Sequence, residues 1–154
     1  MSYITGMKLD ANDAAPQFKL GAVGQSFDGK LYKYLQYKAG AGPVAAVAGN
    51  VAYYYAPGGT SAGSVTQATS DLSDSATVGA GVLQAALTAD YYGWFQIKGP
   101  ATLTTALTAG ADGNAMTPAG STDGTLDVSA AVTDAICAYA IDASAKIVMC
   151  DFPF

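Results

Sequence analysis

From Gly40 onward the chain is written in short apolar runs, each cut by Gly, Pro, Asn or Asp before it reaches the length of an ordinary helix. A string of this kind carries no long amphipathic stripe, so it points to strands joined by tight turns. Residues 44–48 and 51–56 flank Gly49-Asn50, a dipeptide that tolerates positive φ and suits a two-residue hairpin turn. Residues 65–68, 78–83, 91–98, 102–107 and 125–128 are further strand candidates. Residues 85–90, rich in Ala and Leu, read as a helical turn. The LYKYLQY run at 31–37 fits a strand or one short helix, and its tyrosines favour the strand. Residues 136–141 and 146–152 read as a closing hairpin around 142–145. That register sets Ile141 opposite Lys146, Tyr139 opposite Val148 and Cys137 opposite Cys150.

The expected fold is therefore all-β, a small β-barrel or sandwich of roughly eight to ten short antiparallel strands. Residues 1–26 are expected to stand apart from a single β domain at 27–154. Gly6, Pro16, Gly21 and Gly24 break the leader, and Tyr3, Ile4, Phe18 and Leu20 are scattered along it without period. It reads as an extended N-terminal arm with no core of its own, either disordered or ordered against a partner. Its removal is expected to leave the stability of the body unchanged. Charge follows the same division, with a net of +2 over residues 1–38 and of -7 over the rest.

The 154 residues contain no His, Glu or Arg. That excludes a Ser-His-Asp triad, a Cys-His pair, imidazole metal ligation and the bidentate guanidinium fork. A net charge of -5 opposes nucleic acid and anionic membrane surfaces. The start of the chain shows no basic n-region followed by an apolar stretch. The longest apolar stretch, 43–57, is short and interrupted. These features predict a protein made in a cytosol and soluble there. The cysteines, Cys137 and Cys150, are placed where a bridge is geometrically open, but that compartment favours two reduced, buried thiols.

Three motif matches are set aside on their chemistry. Residues 59–63 match G-x-S-x-G, but no histidine exists to take the serine proton. A Ser-Lys variant would need a neutral Lys98 or Lys146 close by. Residues 24–30 match the first seven positions of a P-loop, but Leu31 replaces the magnesium-binding hydroxyl and Asp28 sits where phosphates would lie. Asp71, Ser73, Asp74 and Ser75 resemble the front of a calcium loop, yet Ala76 and Val82 replace its glycine and its bidentate acid. Neither a metal nor a cofactor is expected.

Tyrosine is the residue type in excess. Tyr32, Tyr34 and Tyr37, then Tyr53 to Tyr55, then Tyr91 and Tyr92 are grouped beyond what a core requires. Neighbouring strand residues alternate faces, so Tyr53, Tyr54 and Tyr55 are all buried only if both faces of their strand are covered. The large area and polar tip of tyrosine also suit interfaces, which makes Tyr32, Tyr34, Tyr53, Tyr55, Tyr91 and Tyr92 candidate contact residues. Trp94 and Phe95 are assigned to the core on opposite sides of one strand.

Taken in order, GPVAAVAGNVAYYYA (42–56), SVTQATSDL (64–72), VGAGVLQAAL (78–87), YYGWFQIKGPATL (91–103), DGTLDV (123–128) and AYAIDASAKIVMCDF (138–152) resemble the capsid decoration, or cement, proteins of tailed bacteriophages. The likeness covers residues 40–154, and the longer front with LYKYLQYKAG departs from the smallest members. It implies a small β-barrel that assembles as a homotrimer on the outer surface of the virion capsid. There it would clamp adjacent major capsid proteins against packaged DNA, with no enzymatic activity. On that reading Tyr3, Ile4, Phe18 and Leu20 contact the capsid, and the tyrosine groups form trimer or capsid contacts. The rival reading is a carbohydrate-binding head or tail fibre module, with Tyr91, Tyr92 and Trp94 as stacking platforms and Asp112 or Asn114 as hydroxyl acceptors.

Overall fold

The computed structural model describes residues 6–57 and 65–153. Tyr3, Ile4 and the G-x-S-x-G run lie outside the described residues, the run keeping only its neighbours on either side. Among the described residues the strands are β1 (Val23–Gln25), β2 (Leu31–Tyr37), β3 (Val51–Tyr55), β4 (Gln67–Thr69) and β5 (Ser75–Leu83). They continue with β6 (Tyr92–Thr102), β7 (Ala115–Thr117), β8 (Asp127–Val128), β9 (Ala138–Asp142) and β10 (Ile147–Asp151). The sheet order is β1-β2-β4-β3-β5-β6-β10-β9-β7-β8, and β2 also pairs with β6. That extra pairing closes β2, β4, β3, β5 and β6 into a five-stranded barrel. The pairing of β2 with β4 is parallel; the other pairings are antiparallel.

Small residues let so narrow a barrel hold aromatic rings. Ala52, Ala68 and Ala80 share a buried cluster with Leu35, Tyr37, Tyr54, Leu83 and Phe95, contributed by all five barrel strands. The long strand β6 serves both the barrel and the strands beyond it. Its first part pairs with β2 and β5, and residues 98–102 pair with β10. The change of direction falls at Gly99 (φ +94°), where a Cβ would come within 2.9 Å of Lys30 Cγ. The buried Gln96 amide holds the bend by donating to the carbonyls of Lys98, Gly99 and Pro100 at 3.2, 3.1 and 3.0 Å. A second cluster joins Val51 and Tyr53 of β3 to Met116, Ala138, Ala140, Val148 and Cys150 of the outer sheet.

Several local expectations are corrected. Residues 44–48 form no strand, because β3 already has β4 on one edge and β5 on the other, leaving no place for a hairpin partner. Residues 85–90 form a loop that turns at Asp90 (φ +68°) and sinks Leu87 into the barrel cluster. So short a segment gains too little to nucleate a helix. The strand expected at 102–107 ends at Thr102, and β1 and β7 arise where none was expected. In the closing hairpin Lys146 takes φ +61° and a bulge falls between Ile147 and Val148. The register slips by one, so that Val148 faces Ala140, Met149 faces Tyr139 and Cys150 faces Ala138. Cys137 and Cys150 are both free and buried.

The leader is extended, but it does not stand free. Residues 6–22 lie along the outside of β2 and β6, where Met7, Leu9, Phe18 and Leu20 cover Tyr32, Tyr34 and Trp94. Asp13 and Tyr92 exchange backbone hydrogen bonds at 3.0 and 2.9 Å. The Asn12 amide pairs with both the backbone N–H and the hydroxyl of Thr88. A segment without periodicity thus belongs to the fold, because it crosses the strands and needs only isolated anchors.

Candidate interaction surface

The aromatic residues singled out by sequence separate into two groups. Tyr34 and Tyr53 are fully buried and Tyr32 nearly so, which corrects their assignment to an interface. Phe18 meets Tyr34 edge-on at 5.3 Å between centroids and Trp94 at 5.2 Å, and it and Leu20 are partly buried against the chain's own aromatic cluster. Tyr34 donates to Asp13 at 2.6 Å and accepts from the Gln17 N–H at 3.2 Å. Tyr53 donates to the Thr125 carbonyl at 2.5 Å and accepts from the Thr125 N–H at 3.0 Å. Tyr55, Tyr91 and Tyr92 remain half-buried, and Tyr92 stacks over Tyr34.

The polar groups with chemical potential are engaged in holding loops. Asp71 accepts from Ser73 N–H at 2.9 Å and from Gly42 N–H at 3.1 Å, and Asp74 accepts from Ala41 N–H. Asp123 accepts from Leu72 N–H at 2.9 Å. In the turn that resembles a P-loop, Asp28 accepts from the Ser26 hydroxyl and from Lys30 N–H, filling the space a phosphate would need. The Ser26 hydroxyl chiefly holds the Asp28 carboxyl below its usual range. Lys33 is buried on the barrel side of β2, and its ammonium donates to Tyr54 Oη at 2.7 Å. Burial pushes the Lys33 ammonium down and the Tyr54 phenol up. Burial also raises both thiols, that of Cys150 to about 12.

Among the described residues, one contiguous exposed apolar face lies on the outer sheet. Ala115, Tyr139, Met149 and Pro100 stand opposite one another in sequence across β7, β9, β10 and β6. They form one row on the face opposite the core. Ile141 and Ile147 lie on one side of this row, and the Lys98–Asp151 ion pair lies on the other. An antiparallel sheet with one solvated face ordinarily alternates apolar inside with polar outside. Here both sides are apolar, and Tyr139, Ile141 and Met149 are each more than 40% exposed. The signal was present in the sequence, since AYAI and IVMC carry apolar residues at both parities. Alongside the row, Lys30, Gln84, Gln96 and Thr102, together with Val82 and Ile147, line an open cleft of about 430 Å³ of mixed polarity.

The residues of the rival sugar-binding reading are otherwise occupied. Trp94 lies beneath Phe18 and is 1% exposed, so no sugar ring reaches its face. Asp112 accepts from Ala143 N–H and Asn114 from Ala111 N–H, each at 2.8 Å, which fixes two turns. Comparison of the chain with protein-family models, curated proteins and solved structures finds no match.

Proposed function

We propose that this chain is a structural virion protein that binds the outer surface of a tailed-phage capsid as a homotrimer and cements adjacent major capsid proteins against internal DNA pressure. The observation that carries the reading is the apolar row Pro100–Met149–Tyr139, a flat contact face on a sheet stiffened from behind by the core. The order of motifs that resembles the decoration proteins supports it. The contact residues move from the tyrosines of the barrel to Pro100, Tyr139, Ile141 and Met149. Clamping of this kind makes and breaks no covalent bond. It needs apolar area repeated by symmetry, so that weak single contacts add through avidity.

The test is co-sedimentation of the purified protein with phage capsids lacking decoration, beside the double variant Tyr139→Asp/Met149→Asp. Both side chains are about half exposed and stand opposite each other, so the variant is expected to stay folded with a melting temperature a few degrees lower, while its capsid affinity falls by about 100-fold. Wild-type protein that stays in the supernatant, or a double variant that pellets as well as wild type, overturns the reading.

A further inference from the structure

Among the described residues, the Trp94 indole N–H is the one buried side-chain polar atom without a hydrogen-bond partner. Native proteins leave few such groups, because each has lost its water and gained nothing in exchange. Trp94 is 1% exposed, and the leader lies over it: Phe18 stands 5.2 Å away between ring centroids, and Met7 packs on the same cluster. Lifting the leader lets water reach the N–H. The closed state is thus opposed by a term that opening relieves.

The leader is also separable from the rest of the fold. Its anchors Met7, Leu9, Phe18 and Leu20 are half-buried, and they pack on Tyr32, Tyr34 and Trp94. Neither the barrel cluster nor the cluster of the outer sheet contains a residue before Val23. The leader ends in a turn where Ala22 N–H donates to the Lys19 carbonyl at 2.9 Å, with Gly21 at φ +84°. From there on the chain is fixed to β2, since Gly21 N–H donates to the Tyr34 carbonyl and Tyr34 N–H to the Ala22 carbonyl. Ahead of the turn, Asp13 ties to Tyr92 and Tyr34, Asn12 to Thr88, and Gln17 N–H to the Tyr34 hydroxyl. A segment held by half-buried anchors and edge bonds opens more readily than a packed core.

We propose that residues 6–20 open as one unit about the Lys19–Ala22 turn while the barrel stays folded, and that the unpartnered Trp94 N–H is the spring that sets how often they do. Opening bares the face on which Trp94 and Tyr92 flank Tyr34. The device needs neither a capsid nor a second copy.

Native-state hydrogen exchange of the full chain tests it. The reporters are Asp13 N–H in the leader and Leu83 N–H in the barrel, which donate to the Tyr92 and Asn50 carbonyls at 3.0 and 2.9 Å. Asp13 is expected to exchange at least about 100-fold faster than Leu83, with a shallower dependence on denaturant, because lifting the leader exposes less surface than unfolding. Trp94 is the one tryptophan of the chain, so biosynthetic incorporation of benzothienylalanine replaces its indole alone with a ring of similar shape that lacks the N–H. In that protein Asp13 is expected to exchange about tenfold more slowly. Gly24→Ala pushes the other way, since a Cβ there would come within 2.7 Å of Met7 Sδ and only 3.6 Å of the Trp94 ring. If the leader moves as a unit, this wedge under Met7 speeds exchange at Asp13 by about fivefold. Asp13 and Leu83 exchanging at one rate, an Asp13 rate that does not fall with benzothienylalanine, or one that does not rise in Gly24→Ala overturns the inference.

Discussion

At the scale of single residues, Lys33 shows what the barrel demands. Its strand places it between Leu31 and Leu35 on the inward side, and its ammonium donates to a phenol, not a carboxylate. Taking an ammonium out of water costs more than one neutral hydrogen bond returns. Lys33→Met is therefore expected to raise stability by about 1 kcal/mol, read as a melting temperature higher by a few degrees. A lower melting temperature would show that the bond to Tyr54 organises the lumen. The sequence carried part of this residue-level picture. Three consecutive tyrosines required a strand covered on both faces, and Tyr53 and Tyr54 do bury into different clusters. It did not carry the identity of the cover, since Thr125 reaches Tyr53 from a loop far along the chain. The cysteines show the same limit. One residue in a left-handed conformation at Lys146 shifts the hairpin register, and spacing alone contains no trace of that.

At the scale of elements, the leader behaves as a strap over β2 and β6. Removing residues 1–20 is expected to uncover Trp94 and Tyr34, lower the melting temperature by roughly 10 °C or more and shift tryptophan emission to the red. Melting and emission identical to the full chain would show the strap to be a passenger. Strand identity was readable where β-branched and aromatic residues cluster, as in β2, β3, β5 and β6. It failed at residues 44–48, whose apolar content is just as high. Propensity says that a segment can pair; only the finished barrel says whether an edge is vacant.

At the scale of the whole molecule, the absence of histidine leaves no side chain with an ordinary pKa near neutrality, so stability is expected to be flat from about pH 6 to 8. The alkaline side differs. Burial raises the phenols of Tyr32, Tyr37, Tyr53 and Tyr54, and that of Tyr34 to about 12. These groups ionise near pH 10 in the unfolded chain but must stay neutral in the folded one. Their contribution is full below about pH 10 and is lost as pH climbs toward the folded values. Lys33, with its value lowered, acts in the opposite sense, as one group against five. A steep alkaline transition above pH 10 is expected, with phenolate absorbance and loss of sheet signal rising together. Phenols that titrate smoothly while the sheet persists would contradict it. The all-β class was legible because turn residues recur at strand spacing, with barrel and sandwich both open. The second sheet was not, because it depends on β6 outlasting the barrel.

The parallel pairing of β2 with β4 has a further consequence for synthesis. Neighbouring parallel strands cannot be joined by a tight hairpin, and the other edge of β2 waits for β6, made much later. A nascent chain on the ribosome therefore carries its Tyr-rich strand paired along one edge only, by β1 and then β4, until Lys98 has emerged. Closure is then a late, slow event governed by contacts between distant parts of the polypeptide.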